Sequence, residues 1–150
     1  MTLTREEILN QSSGRKLDRW IQEHVFNWIP WAEQRGDYLI VAFQKPGESE
    51  PYKRSQNWKS QMDRYSVIQY SDLDPMKHAV YGDKDWSTDI SAAWEVLGKH
   101  KTHQVTFNET GFSHSELKYR VIVGKNQNVA YANAAPEAIC KAALLAVLNL

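Results

Sequence analysis

The stretch over residues 86–98 constrains this chain most, because it holds a helix start, an apolar stripe and a stop signal. Ser87 and Thr88 place hydroxyls where a helix start leaves backbone N–H groups without partners, and Asp89 falls in the first turn, where the helix dipole favours negative charge. Ile90, Ala93, Trp94 and Leu97 recur at helical spacing, which predicts one buried face with Trp94 in the core. Gly98 is the expected stop, in the left-handed conformation, followed by basic Lys99 and His100.

A helix so delimited needs layers to pack against, and the chain supplies them in order. Thr4 and Glu7 form a capping-box pattern that predicts one or two helical turns. From Arg15 onward, Leu17, Trp20, Ile21, His24, Val25 and Trp28 fall on one side and Arg19, Gln22, Glu23 and Asn27 on the other. That spacing predicts an amphipathic helix over residues 15–28, stopped by Pro30. The apolar run at 38–43 reads as a buried strand, residues 45–64 as a polar excursion, 65–70 as a second strand and 71–85 as loop. Residues 103–107 and 117–123 alternate polar and apolar around a turn at 108–111, which predicts an antiparallel hairpin with 129–132 as a third strand. Pro136 opens a last helix that is apolar almost all round to Leu148 and so belongs in the core. The expected class is α/β (α+β): one domain over residues 1–150, a three-layer α-β-α sandwich with an antiparallel sheet and helices near 15–28, 87–97 and 136–148.

Charge and cysteine content exclude several roles. The 18 basic and 18 acidic residues cancel, so attraction to a nucleic-acid polymer or an anionic membrane has no whole-chain support. Cys140 is alone and makes no internal disulfide, in keeping with a reducing cytoplasm. No run reaches the roughly 18 apolar residues of a spanning helix. Six Trp and seven Tyr exceed what packing usually demands, which points to aromatic side chains in a binding surface.

Three stretches together resemble the phage ABA sandwich domain family: Gly14-Arg15-Lys16-Leu17-Asp18 running on to Trp28, Ser87-Thr88-Asp89-Ile90 with Ala92-Ala93-Trp94-Glu95-Val96, and Ala135-Pro136-Glu137-Ala138-Ile139-Cys140 running on to Ala146. The resemblance implies helices on both sides of an antiparallel sheet and a phage origin. It implies no established chemistry.

Catalytic patterns are incomplete. His100-Lys101-Thr102 supplies one His-x-Thr element of the kind that two-histidine phosphoesterases use twice, but His114 is followed by serine at the wrong place. His100 and His103 have no second ligand pair for a metal, and no phosphate loop or nucleophile elbow appears. No catalytic residue, metal or cofactor is assigned, and Cys140 and His24 read as packed side chains. The binding site expected is the start of the central helix, where backbone N–H groups with Ser87 and Thr88 hold an anion and Trp86 or Tyr81 stacks on a base. In the plainer alternative, Ser87 or Thr88 only caps the helix and Trp86 packs as a hydrophobic staple. Arg54, Trp58 and Lys59 of the excursion read as a flap over the same ligand, or else as a solvated loop anchored by its Trp.

The functional expectation is a non-enzymatic phage protein in the cytoplasm of the infected bacterial host, a homo-oligomer that sequesters a small molecule such as a cyclic dinucleotide immune signal. The alternative is a phage protein that inhibits a host protein through the excursion, and a phosphodiesterase-like enzyme stands third.

Overall fold

Helix formation begins where the capping box marks it. The computed structural model describes residues 2–35, 38–49, 51, 65–73, 78–81, 84–113 and 115–150. Thr4 caps α1 (Arg5–Asn10): the Glu7 N–H donates to its hydroxyl oxygen at 3.2 Å, and its own N–H donates to the Glu7 carboxylate at 2.7 Å. Those bonds to Thr4 hold the Glu7 carboxyl below its ordinary pKa.

The next helix departs from expectation. α2 (Arg15–Trp20) gives way to a π-helical turn over Ile21–Val25, and Asn27 takes the left-handed conformation at φ 56°, so the helix ends before Trp28. Asparagine tolerates that conformation and stops the helix ahead of Pro30. The wider π turn also shifts which residues face inward. Arg19 and Gln22, assigned to the polar side in sequence, are buried, with the Arg19 guanidinium donating to Gln22 Oε1 at 3.1 Å.

The chain divides into two compact units, one of Met1–Val25 with Lys84–Leu150, the other of Phe26–Asp83. The second unit is a four-stranded sheet, β1 (Ile29–Arg35), β2 (Tyr38–Gln44), β3 (Ser66–Val67) and β4 (His78–Tyr81), in the order β3-β1-β2-β4. β1 and β2 are antiparallel, and β4 runs parallel to β2. β1 and β4 were unforeseen. Pro30 is the second residue of β1, a position near a strand start that proline tolerates, and its carbonyl accepts from Ile68 at 3.0 Å. A turn of 3₁₀ helix at Tyr70–Asp72 follows β3. One buried cluster joins Ile40, Ala42 and Tyr65 with Trp31, and Phe43 packs against Trp28 and Tyr70 with ring centroids 5.8 and 6.2 Å away. Of the expected excursion, residues 50 and 52–64 lie outside the described residues.

The first unit holds α1, α2, α3 (Ile90–Leu97), the antiparallel sheet β5 (His103–Phe107), β6 (Tyr119–Val123), β7 (Asn128–Ala132) in that order, and α4 (Ala135–Val147). The hairpin, third strand and last helix stand where the sequence places them, and the class is the expected mixed α+β sandwich. α4 packs on β6 and β7, and α1, α2, the π turn and α3 also pack on α4. It is accordingly buried almost all round, from Ala138 to Leu145. Val121 and Val123 of β6 and Ala130 and Ala132 of β7 are buried, so alternation sends Arg120, Ile122, Val129 and Tyr131 to the opposite face.

Two assignments on α3 are corrected. Trp94 is 54 % exposed and Ile90 45 %, and the buried face is Ala92, Ala93, Val96 and Leu97. Close helix packing against alanine-rich α4 selects the small pair Ala92–Ala93, since a tryptophan between the axes would hold the helices apart. Gly98 ends the helix at φ −61°, in the right-handed region. With Leu144 wholly buried in α4, Leu144→Ala is expected to cost about 2–5 kcal/mol in urea melts; a loss below about 0.5 kcal/mol would place that side chain on the surface.

Candidate functional site

The start of α3 is filled by the protein's own groups. Asp89, rather than Ser87 or Thr88, is the N-cap, its carboxylate accepting from Ser91 N–H at 2.8 Å and Ala92 N–H at 3.3 Å. Thr88 is exposed, whereas Ser87 is buried in a knot with the start of α2. The Ser87 N–H donates to Asp18 Oδ1 at 2.7 Å, its hydroxyl oxygen accepts from Gly14 N–H at 2.8 Å, and its hydroxyl donates to the Gly14 carbonyl at 3.3 Å. Trp86 is fully buried with the Lys84 ammonium 5.3 Å from its ring centroid, so its ring has no face open for a base. The same knot reaches α4: Glu137 accepts from Ser13 N–H at 3.1 Å and lies 3.2 Å from the buried Lys141, which donates to the Leu9 carbonyl at 3.0 Å. Serine and aspartate stand here because they satisfy backbone groups that burial removes from water. The anion seat expected at this helix start is a structural junction.

Of the remaining residues expected at the site, Arg54, Trp58 and Lys59 lie outside the described residues, and so does the side chain of Tyr81, the last residue of β4.

A different cluster stands on the face of the β5-β6-β7 sheet away from α4. The register sets Thr106, Arg120 and Tyr131 side by side across the three strands. The connection from β5 to β6 folds back over that face, held by Asn108, whose side chain accepts from Thr110 N–H at 3.1 Å, and by the Phe112–Ser115 bridge. Gly111 permits the fold: its φ is +83°, and a Cβ there would meet the Ser115 carbonyl at 2.9 Å. Phe112 is thereby set against both partners, its ring 4.9 Å from the Arg120 guanidinium and 5.5 Å, edge-on, from Tyr131. Arg120 is half-buried, its Nε is buried without a hydrogen-bond partner, and it makes no ion pair among the described residues. A half-buried guanidinium set against an aromatic ring, with no ion pair among the described residues, has the chemistry to meet an anionic, planar guest. No motif marked Arg120. The one available sign was the alternation of residues 117–123, which separates Arg120 from Val121 but does not say which face a helix covers.

The phage ABA sandwich domain family matches this chain over residues 19–144. The chain belongs to that family. No curated protein and no solved structure matches it. Two of the three stretches that carry the family resemblance meet at Ser87 and Asp18, and the third contributes Glu137 and Lys141 beside them. In this chain the family's motifs therefore describe how the fold is joined.

The other groups considered for chemistry are placed as follows. Cys140 is buried and its thiol is pushed well above its ordinary pKa by burial, with Asp18 and Glu137 adding to the effect. His24 is half-buried, 3.5 Å from Glu23, and His114 lies outside the described residues. Among the described residues no group of three metal-ligating side chains gathers, and no helix is long and apolar enough to cross a membrane. His103 is exposed, and His100 has its Nε2 buried with no hydrogen-bond partner among the described residues. Burial lowers the His100 pKa from its ordinary 6.5, and His103 adds to that effect. The unfolded chain thus takes up a proton that the folded chain resists, so stability is full above pH 6.5 and falls as pH drops below it. Urea midpoints measured from neutral to mildly acidic pH are expected to fall less for His100→Asn than for the parent; parallel losses would show that His100 carries no such linkage.

Proposed function

We propose that this is a non-enzymatic phage protein that binds and sequesters a small anionic host molecule in the cytoplasm of the infected bacterium. The ligand we favour is a nucleotide immune signal such as a cyclic dinucleotide. The observation that carries this reading is Arg120, a half-buried cation with no ion pair among the described residues, set against Phe112 beside Tyr131 on the sheet face away from α4. Phosphate pairs with guanidinium through charge-assisted, bidentate hydrogen bonds, and a base stacks on an aromatic ring with about 1–3 kcal/mol per base. Ligand binding would also give a partner to the buried Nε of Arg120, which has none among the described residues.

A second reading has its own support. Trp94 and Ile90 lie one turn apart on the outer face of α3, exposed 54 % and 45 %. A tryptophan in the open is a frequent anchor of protein interfaces, so this face favours a phage protein that inhibits a host protein.

The readings separate by mass spectrometry of what heating releases after the protein has been mixed with a nucleotide panel and desalted. Intact nucleotide from the parent is expected, with binding weakened about tenfold or more in a folded Arg120→Ala variant, a loss of about 1.4 kcal/mol, and with a flatter salt dependence. Equal recovery from parent and variant would exclude Arg120 as the site. Altered nucleotide would mark a phosphodiesterase, and no nucleotide at all would favour the protein-partner reading.

A further inference from the structure

β5 is an edge strand, and its backbone is oriented so that a second copy of the same strand satisfies it. The register that opposes Val105 to Val121 continues to Thr102–Gly124 and Asn108–Lys118, where Gly124 N–H donates to the Thr102 carbonyl at 2.9 Å and Asn108 N–H to the Lys118 carbonyl at 2.8 Å. Bonded and non-bonded pairs alternate in an antiparallel ladder. Gln104 and Thr106 therefore bond to β6, whereas His103, Val105 and Phe107 aim their N–H and C=O groups at the outer edge.

Proteins blunt such edges with Lys, Pro or a bulge. β5 has none of these: its residues are His103, Gln104, Val105, Thr106 and Phe107, paired to β6 without interruption. Three of the five are exposed, Phe107 at 56 %, whereas β7 at the opposite edge has no exposed residue.

We infer that two copies of this chain pair through β5, antiparallel about a two-fold axis at Val105, to make one continuous six-stranded sheet. That axis is the one at which the three outward-facing residues oppose one another: Val105 meets its own copy, and His103 meets Phe107 of the partner subunit. Gln104 then lies against Thr106 of the partner subunit, a cross-strand pair able to hydrogen bond. Beyond the strand, Lys101 stands at the end of the pairing where the partner subunit's turn at 108–111 begins, near Glu109 of the partner subunit, twice by symmetry. Both are exposed, and neither makes an ion pair among the described residues. The edge is self-complementary in backbone, side chain and charge, as a two-fold interface requires. The pairing would carry the faces of both sheets away from α4, with their two Arg120 side chains, to the same side. It does not depend on the ligand reading, and Arg120→Ala leaves the edge untouched.

A five-residue edge is small beside the roughly 800 Å² per partner of a stable interface, so association is expected to depend on concentration. Sedimentation equilibrium of the full chain is expected to give a reversible dimer, and Val105→Pro a folded monomer, because the N–H it removes points away from β6. Lys101→Glu is expected to weaken the dimer about five- to tenfold through two like-charged contacts, and adding Glu109→Lys to restore it within about threefold. The charge swap decides the matter if the proline variant does not fold. A parent that stays monomeric up to about 1 mM, or a dimer indifferent to both Val105→Pro and Lys101→Glu, would overturn the inference.

Discussion

The first unit is organised around a buried backbone N–H, that of Ser87, donated to the carboxylate of Asp18 at 2.7 Å. Burying an amide without a partner costs about 1–3 kcal/mol, and a bond to a charged acceptor is worth more than one to a neutral group. The contact spans 69 residues of sequence and fixes where α3 starts relative to α2. Gly14 completes it, since its N–H and carbonyl both reach the Ser87 hydroxyl and its φ of 135° is strained for any residue with a Cβ. α4 then closes the junction from the other side through Glu137 and Lys141. Local helix signals would leave these helices free to slide; the polar knot sets their register.

This arrangement explains why the start of α3 is a junction. Hydroxyls, an aspartate and a tryptophan at a helix start have the composition of an anion site, but each is already committed: Asp89 to the N-cap, Ser87 to Gly14 and Asp18, Trp86 to the core. Two cations make the contrast sharper. Lys141 is buried between a carbonyl and a carboxylate, at 3.0 and 3.2 Å, and is satisfied there. Among the described residues Arg120 meets an aromatic ring and no carboxylate, with its Nε buried and unbonded. Lys141 is thereby part of the structure, whereas Arg120 is the residue on which the proposed ligand site rests.

Much of the fold was legible in the sequence because local chemistry agreed with the final packing. Thr4 with Glu7, the alternation of the β5–β6 hairpin, and Pro136 ahead of an apolar run each specify one element, and each element forms. The errors fall where a tertiary contact chose between local options. Ile90, Ala93, Trp94 and Leu97 make as good a stripe as Ala92, Ala93, Val96 and Leu97, and only the need for close approach to α4 decides between them. Pro30 stops a helix or begins a strand equally well, and Asn27 settled the helix end first. The surroundings of Arg120 were not legible at all. They follow from which face of the sheet α4 covers and from a loop at Gly111 that turns Phe112 back over the strand.

Native-state hydrogen exchange at the Ser87 amide tests the central claim most directly, with the Leu144 amide of α4 as reference. If the Asp18–Ser87 junction holds the unit together, the two amides exchange with the same opening free energy and respond equally to added denaturant. Exchange of Ser87 through a denaturant-independent local opening, several kcal/mol easier than that of Leu144, would contradict it.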